Sequence, residues 1–146
     1  MATKWCCFHC KKTLTFDYGF NRIADSNVKN SSIIHLKGIL EEISQKINKN
    51  KNDLGTVKID LSDNYLSDTG ISELSQFITA DQYICSNLVE LNLKNNRLTV
   101  DSFKSLQTIL SCCPQIYIDI SVNFLNTREF KKEFGDKPQR IRYDPY

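Results

Sequence analysis

Ile59-Asp60-Leu61-Ser62-Asp63-Asn64-Tyr65-Leu66 is the stretch that decides how this chain is read. Its first residues alternate apolar and polar, the period of a strand with one buried face. Asn64 breaks the alternation and Leu66 restores an apolar side chain two positions on. The same apolar-x-apolar-x-x-Asn-x-Leu frame returns as Leu91-Asn92-Leu93-Lys94-Asn95-Asn96-Arg97-Leu98 and as Ile118-Asp119-Ile120-Ser121-Val122-Asn123-Phe124-Leu125. The asparagines are 32 residues apart (64 to 96) and then 27 (96 to 123). Self-similarity at such a period is the signature of stacked supersecondary units.

The segment after each frame also repeats. Ile71, Leu74, Phe77 and Ile78 have helical spacing, as do Phe103, Leu106, Ile109 and Leu110. Phe130-Lys131-Lys132-Glu133-Phe134 is a shorter, more charged version. Each unit therefore reads as strand, turn and helix. One such unit cannot bury its own apolar face, whereas stacked copies share a continuous core. The asparagine belongs to the turn. Its amide both donates and accepts, so it satisfies backbone groups left unpaired where the strand bends. Stacked Asn64, Asn96 and Asn123 are expected to form a ladder.

The pattern resembles the leucine-rich-repeat family, and most of all its ribonuclease-inhibitor-like class. Residues 59–70 are close to that consensus, and Cys85-Ser86-Asn87-Leu88 and Cys113-Pro114-Gln115-Ile116 resemble the family's lead-in to each strand. The clear resemblance covers residues 56–130. It implies an α/β fold: a short leucine-rich-repeat solenoid with a parallel sheet on the concave side and helices on the convex side. The first repeat carries extra residues from Thr79 to Asn87. The third is one residue shorter between Ile116 and Ile118 than the second is between Leu88 and Leu91.

The ends read as caps. Ile33 to Ile47 carries a helical stripe of Leu36, Ile39, Leu40, Ile43 and Ile47, with Asn30, Ser31 or Ser32 placed to cap its start. Lys46 to Asp53 is too polar to bury surface and reads as a solvated loop. Leu14-Thr15-Phe16 alternates like a strand, with Gly19 where the asparagine would sit. The expected organisation is a Cys-rich cap segment (1–12), a degenerate first repeat with its polar loop (13–55), three repeats (56–130) and a C-terminal cap (131–146). Gln139 to Tyr143 alternates like a last edge strand, on which Arg140 and Arg142 discourage further pairing. Asp144-Pro145-Tyr146 is expected to fray.

Outside the repeats, Cys6-Cys7-Phe8-His9-Cys10 is the sharpest feature. Cys7-x-x-Cys10 with His9 is half of a zinc site, but no second pair stands at suitable spacing. The alternatives are acylation of Cys6 or Cys7 and a reduced, packed cap with Trp5 and Phe8; no metal or cofactor is assigned. Cys85, Cys112 and Cys113 read as core packing. The N-terminal stretch lacks a signal-like apolar run and no apolar stretch is long enough to span a membrane, which points to a cytoplasmic chain whose cysteines are mostly free thiols or metal ligands rather than disulfides. His9 and His35 are the only histidines, and neither assembles with a nucleophile and an acid. With five glycines there is no phosphate-cradling loop. The chain therefore reads as non-enzymatic.

Charge argues the same way. The net charge of +2 mixes both signs, unlike the strongly basic face of a nucleic-acid binder. The resemblance implies another protein as partner, met by a monomer through the concave face. The outward rows there are Lys58, Glu90 and Tyr117; then Asp60, Asn92 and Asp119; then Ser62, Lys94 and Ser121. Asp63, Asn95 and Val122 lie beside them. Tyr117 is the candidate anchor. Two other readings stand beside this one. The first is a zinc-containing regulatory or ubiquitin-ligase-associated domain with a repeat arm; the second is a cap detached from a longer array.

Overall fold

The computed structural model describes residues 11–30 and 32–145. In chain order the elements begin β1 (Lys12–Asp17), β2 (Ile23–Ala24), β3 (Ile34–His35), α1 (Leu36–Asn50) and β4 (Leu54–Asp60). Next come α2 (Asp68–Ala80), α3 (Gln82–Asn87), β5 (Leu88–Asn92), a 3-10 turn at Val100–Ser102 and α4 (Phe103–Cys112). The chain closes with β6 (Tyr117–Asp119), α5 (Thr127–Phe134) and β7 (Ile141–Arg142). Five strands form one parallel sheet in the order β1-β4-β5-β6-β7, while β2 and β3 pair separately. Parallel neighbours need long crossovers, and the helices supply them. The sheet's inward side chains Val57, Ile59, Leu91, Ile118 and Ile141 share one core with Ile43, Leu74, Ile78, Leu106 and Ile109.

The helical stripes fall where the spacing puts them. Ile71, Leu74 and Ile78 are buried with Phe77 packed beside them, as are Phe103, Leu106 and Ile109 with Leu110. Two boundaries move. Helix α1 starts at Leu36 rather than Ile33, because Ile34 and His35 pair with Ile23 and Ala24. Neither Asn30 nor Ser32 caps it; Ser31 lies outside the described residues, and the Ser26 hydroxyl instead accepts the Lys37 N–H at 3.0 Å. The helix also runs on to Asn50, so Lys46 to Asn50 is not loop. Ile47, 1% exposed, holds this last stretch to the core, and Lys46 pairs with Glu42 one turn back at 2.6 Å. Of the extra residues at 79–87, Thr79 and Ala80 end α2 and Gln82–Asn87 form α3, capped by the Asp81 carboxylate accepting from the Tyr83 and Ile84 N–H groups. The additional residue in the second lead-in is Val89, a bulge between Leu88, opposite Val57, and Glu90, opposite Lys58.

The asparagine ladder forms. Asn64, Asn96 and Asn123 are buried. Asn123 Oδ1 accepts from the N–H of Asn96 at 3.2 Å and of Leu98 at 3.0 Å. Its Nδ2 donates to the carbonyls of Leu93 at 3.0 Å, Ile120 at 3.0 Å and Ser121 at 3.3 Å. Asn96 accepts from Leu66 N–H at 3.0 Å and donates to Leu61, Leu93 and Lys94. Each amide thus closes its own turn and ties it to the preceding one.

The same bonds correct the expectation for the first unit. Asn64 Oδ1 accepts from the N–H of Asn21 at 3.1 Å and of Ile23 at 2.9 Å. Asn21, not Gly19, therefore occupies the ladder position, and its Nδ2 donates back to the Gly19 carbonyl at 2.9 Å. The residue before each ladder asparagine is left-handed: Phe20 at φ 58°, Asp63 at 55°, Asn95 at 53° and Val122 at 58°. Asp and Asn tolerate that conformation; a β-branched valine is strained in it.

A second set of links joins the loops leading into the helices. Asp25, 3% exposed, accepts from the N–H and hydroxyl of Ser67. Asp68 does the same for Thr99, at 2.8 and 2.6 Å. Gly70 makes room for the first of these, since a Cβ there would stand 2.2 Å from Asp25 Oδ1.

Replacing Asn96 by Ala strands the buried Leu66 N–H and several carbonyls. Urea unfolding should show a loss of about 3 kcal/mol. Val122→Asn places a left-handed-tolerant residue in the strained position, and the same measurement should show a gain of about 1 kcal/mol.

Candidate binding face

The side of the sheet away from the helical core carries the polar half of each strand's alternation. The register brings the expected rows together: Lys58 opposite Glu90 and Glu90 opposite Tyr117, then Asp60 opposite Asn92 and Asn92 opposite Asp119. Both rows are longer than the repeats alone suggest. Thr15 precedes Lys58 in the first; Asp17 precedes Asp60 and Arg142 follows Asp119 in the second.

The residues in these rows have different duties. Tyr117 stands 42% exposed, and Glu90 and Lys94 are exposed. Lys58 pairs with Glu90 at 3.2 Å, and both side chains stay open to water, so the pair contributes little to stability. The middle row serves the backbone. Oδ1 of Asp60, Asn92 and Asp119 accepts the N–H two residues on, from Ser62, Lys94 and Ser121, at 2.8, 3.1 and 2.9 Å. Asp17 does so for Gly19 at 3.2 Å. These are Asx-turns that end each strand. Asn92 Nδ2 also donates to Asp60 Oδ2 at 3.1 Å. Ser62 and Ser121 are buried and offer no side-chain surface; the Ser121 hydroxyl accepts the Asp144 N–H at 3.1 Å. Asp63 is linked to Asn95 at 2.7 Å beside them.

The far edge is more ordered than its composition suggests. Asp144 does not fray: its carbonyl accepts the Val122 N–H at 3.2 Å and its carboxylate takes the Arg142 Nε–H at 2.8 Å. Arg140 does not stand guard on an open edge. Its guanidinium turns back to the carbonyls of Cys113 at 2.8 Å and Leu110 at 2.9 Å, closing the end of α4.

Core packing holds for Cys85 and Cys113, both buried, but the free-thiol expectation fails for Cys85 and Cys112, which are joined in a disulfide. The stacked helices bring Cα atoms 27 residues apart in sequence to 5.7 Å. Closing a loop of that length removes about 3 to 4 kcal/mol of unfolded-chain entropy. The sulfurs of Cys85, Cys112 and Cys113 all lie within 4.8 Å of one another. Burial pushes the Cys113 thiol up to about 11, against the opposing pull of Arg140. Cys6, Cys7, His9 and Cys10 lie outside the described residues. His35 is exposed at the head of α1, its Nε2 2.7 Å from the Val28 carbonyl.

Sequence reasoning missed an exposed row one position after the ladder residues: Arg22, Tyr65, Arg97 and Phe124. The Arg97 guanidinium lies 4.8 Å from the centre of the Tyr65 ring. The signal was present, since the x between Asn and Leu in the frame is large in every unit.

Residues 87–114 match the model of the Leucine Rich Repeat family. The match covers one strand–turn–helix unit, β5 to α4, and supports the leucine-rich-repeat resemblance. No curated protein and no solved structure matches the chain. No helix of the described residues is long and apolar enough to cross a membrane.

Cys113 should resist alkylation. With its thiol protonated up to about 11, iodoacetamide labelling measured by mass spectrometry should stay near zero at neutral pH. It should rise only as the pH approaches that value, because the thiolate is the reactive form.

Proposed function

We propose that the chain is a non-enzymatic protein-interaction module. In this reading it is a short leucine-rich-repeat solenoid of the ribonuclease-inhibitor-like class, with four units, from the degenerate one at 13–55 to the end of the repeats at 130. The sheet lines its concave side and the helices its convex side. A monomer presents the concave face to another protein. The observation that carries this is the sheet face away from the helices, on which Glu90 and Tyr117 stand exposed in adjacent strands and Lys94 stands exposed just past the end of β5.

The floor of that face explains why it suits recognition. Asp60, Asn92 and Asp119 commit one oxygen each to the strand-ending turns, and Ser62 and Ser121 are buried beneath them. A partner would meet side chains on a backbone already ordered, which lowers the entropy lost on binding. Tyr117 supplies the aromatic anchor that interfaces favour, with Lys58 and Glu90 beside it to set orientation. The mixed charges of Lys58, Glu90, Lys94 and Asp119 suit a protein surface better than the uniform anion of a nucleic acid.

The test avoids the turn-forming carboxylates, whose loss would disturb the strands. Glu90→Lys, Lys94→Glu and Tyr117→Ala together should abolish partner capture in a pull-down while leaving the thermal melt in place. Tyr117→Ala alone should weaken capture by about tenfold, the scale of a moderate hot spot. Capture unchanged by the triple variant would overturn the concave-face assignment.

A further inference from the structure

We propose that the hollow beside Arg22, Tyr65 and Arg97, at the corner where the sheet meets the loops of the first unit, binds a carboxylate side chain of an acidic peptide segment. The proposal rests on the interaction reading only in taking a protein as partner; the surface is a different one.

Three observations converge there. The first is charge. Arg22 and Arg97 line the same hollow, and both are exposed. On the sheet face Lys58 has Glu90, and Arg142 has Asp144 and Asp119. Among the described residues neither Arg22 nor Arg97 has an ion-pair partner or a side-chain hydrogen bond. Two guanidinium groups facing one recess favour an anion between them, and their planar forks match a carboxylate in bidentate fashion.

The second is apolar lining. Tyr65 and Val28 are each 40% exposed at the same hollow, Ala24 and Ile33 add apolar wall beside them, and the polar Asn30 and Ser32 complete it. A bare inorganic anion has no use for the apolar part of that wall. A peptide does, because its acidic residue sits between apolar neighbours.

The third is rigidity. Both flanking N–H groups of Arg22 are held by Asn64 Oδ1, which fixes Arg22 itself at φ 56°. The Tyr65 N–H donates to the Ile23 carbonyl at 2.8 Å and the Arg97 N–H to Leu66 at 2.8 Å. Arg97 is further steadied over the Tyr65 ring. The backbone that carries these side chains is therefore held by the buried ladder before any ligand arrives.

The probe is a blocked Leu-Asp-Leu-Glu peptide, compared with its Leu-Asn-Leu-Gln counterpart and with inorganic phosphate, each titrated to millimolar concentration against isotope-labelled full-length chain. The acidic peptide should produce saturable shifts at the Arg22, Tyr65 and Arg97 amides, and the amide counterpart should produce none. R22Q with R97Q should weaken the acidic peptide by at least about tenfold, the value of one charge-assisted pair, while Tyr117→Ala leaves it unchanged. Absent shifts, equal shifts with the neutral peptide, or phosphate binding as well as the acidic peptide would each overturn the proposal. Loss at the concave face with the hollow intact would separate failure of the interaction reading from failure of this one.

Discussion

The structure depends on the buried amides of Asn64, Asn96 and Asn123, one in each of three successive turns. Where a parallel strand bends toward its helix, several carbonyls and N–H groups lose their sheet partners away from water. A single side chain answers them: its oxygen accepts two N–H groups of the preceding turn, and its nitrogen reaches carbonyls of both turns. Only an amide side chain offers two donors beside an oxygen with two lone pairs, and glutamine carries that group one methylene too far out for the same turn. The cost is a left-handed residue just before it, accepted at Asp63 and Asn95 and also forced on Phe20 and Val122.

That constraint sorts the polar surface into two kinds. Carboxylates and amides at the strand ends face the open side, yet their first oxygen is committed to the turn. They are structural residues that happen to be visible from outside. Side chains one step away, at Glu90, Lys94 and Tyr117, carry no such duty and are left for contacts. The row after the ladder asparagines is freed for the same reason, since the turn directs it outward while the asparagine and the next leucine point in.

The lateral links repeat on the other side of the turn. Asp25 to Ser67 and Asp68 to Thr99 clamp successive loops. In the next unit Val100 stands where the acid would be, and the clamp ends. There Asn126 caps α5 by itself, accepting from Glu129 N–H at 2.8 Å. The Cys85–Cys112 bond crosses between α3 and the end of α4, adding a covalent tie on the helical side of the stack.

Periodicity makes the strands, the helical stripes, the ladder and the facing rows legible, because each rests on residues a fixed distance apart in one unit. The first unit is legible only in outline. Its strand is visible at Leu14 to Phe16, but spacing points to Gly19 for the ladder residue. Started two residues later, the frame reads Phe16-x-Tyr18-x-x-Asn21-x-Ile23, with isoleucine in the place of leucine, and the Asn21 N–H bond to Asn64 Oδ1 fixes that register. The stripe carries α1 as far as Ile47, but the polar run from Lys46 conceals that the helix continues to Asn50. The burial of Ser62 and Ser121, the return of Arg140 to α4 and the meeting of Cys85 with Cys112 all join residues from different units. Sequence by itself determined the repeating unit and the asparagine on which it turns. The tertiary structure alone decided which polar residues are committed and which remain free, because that depends on the groups a neighbouring unit brings within hydrogen-bonding reach.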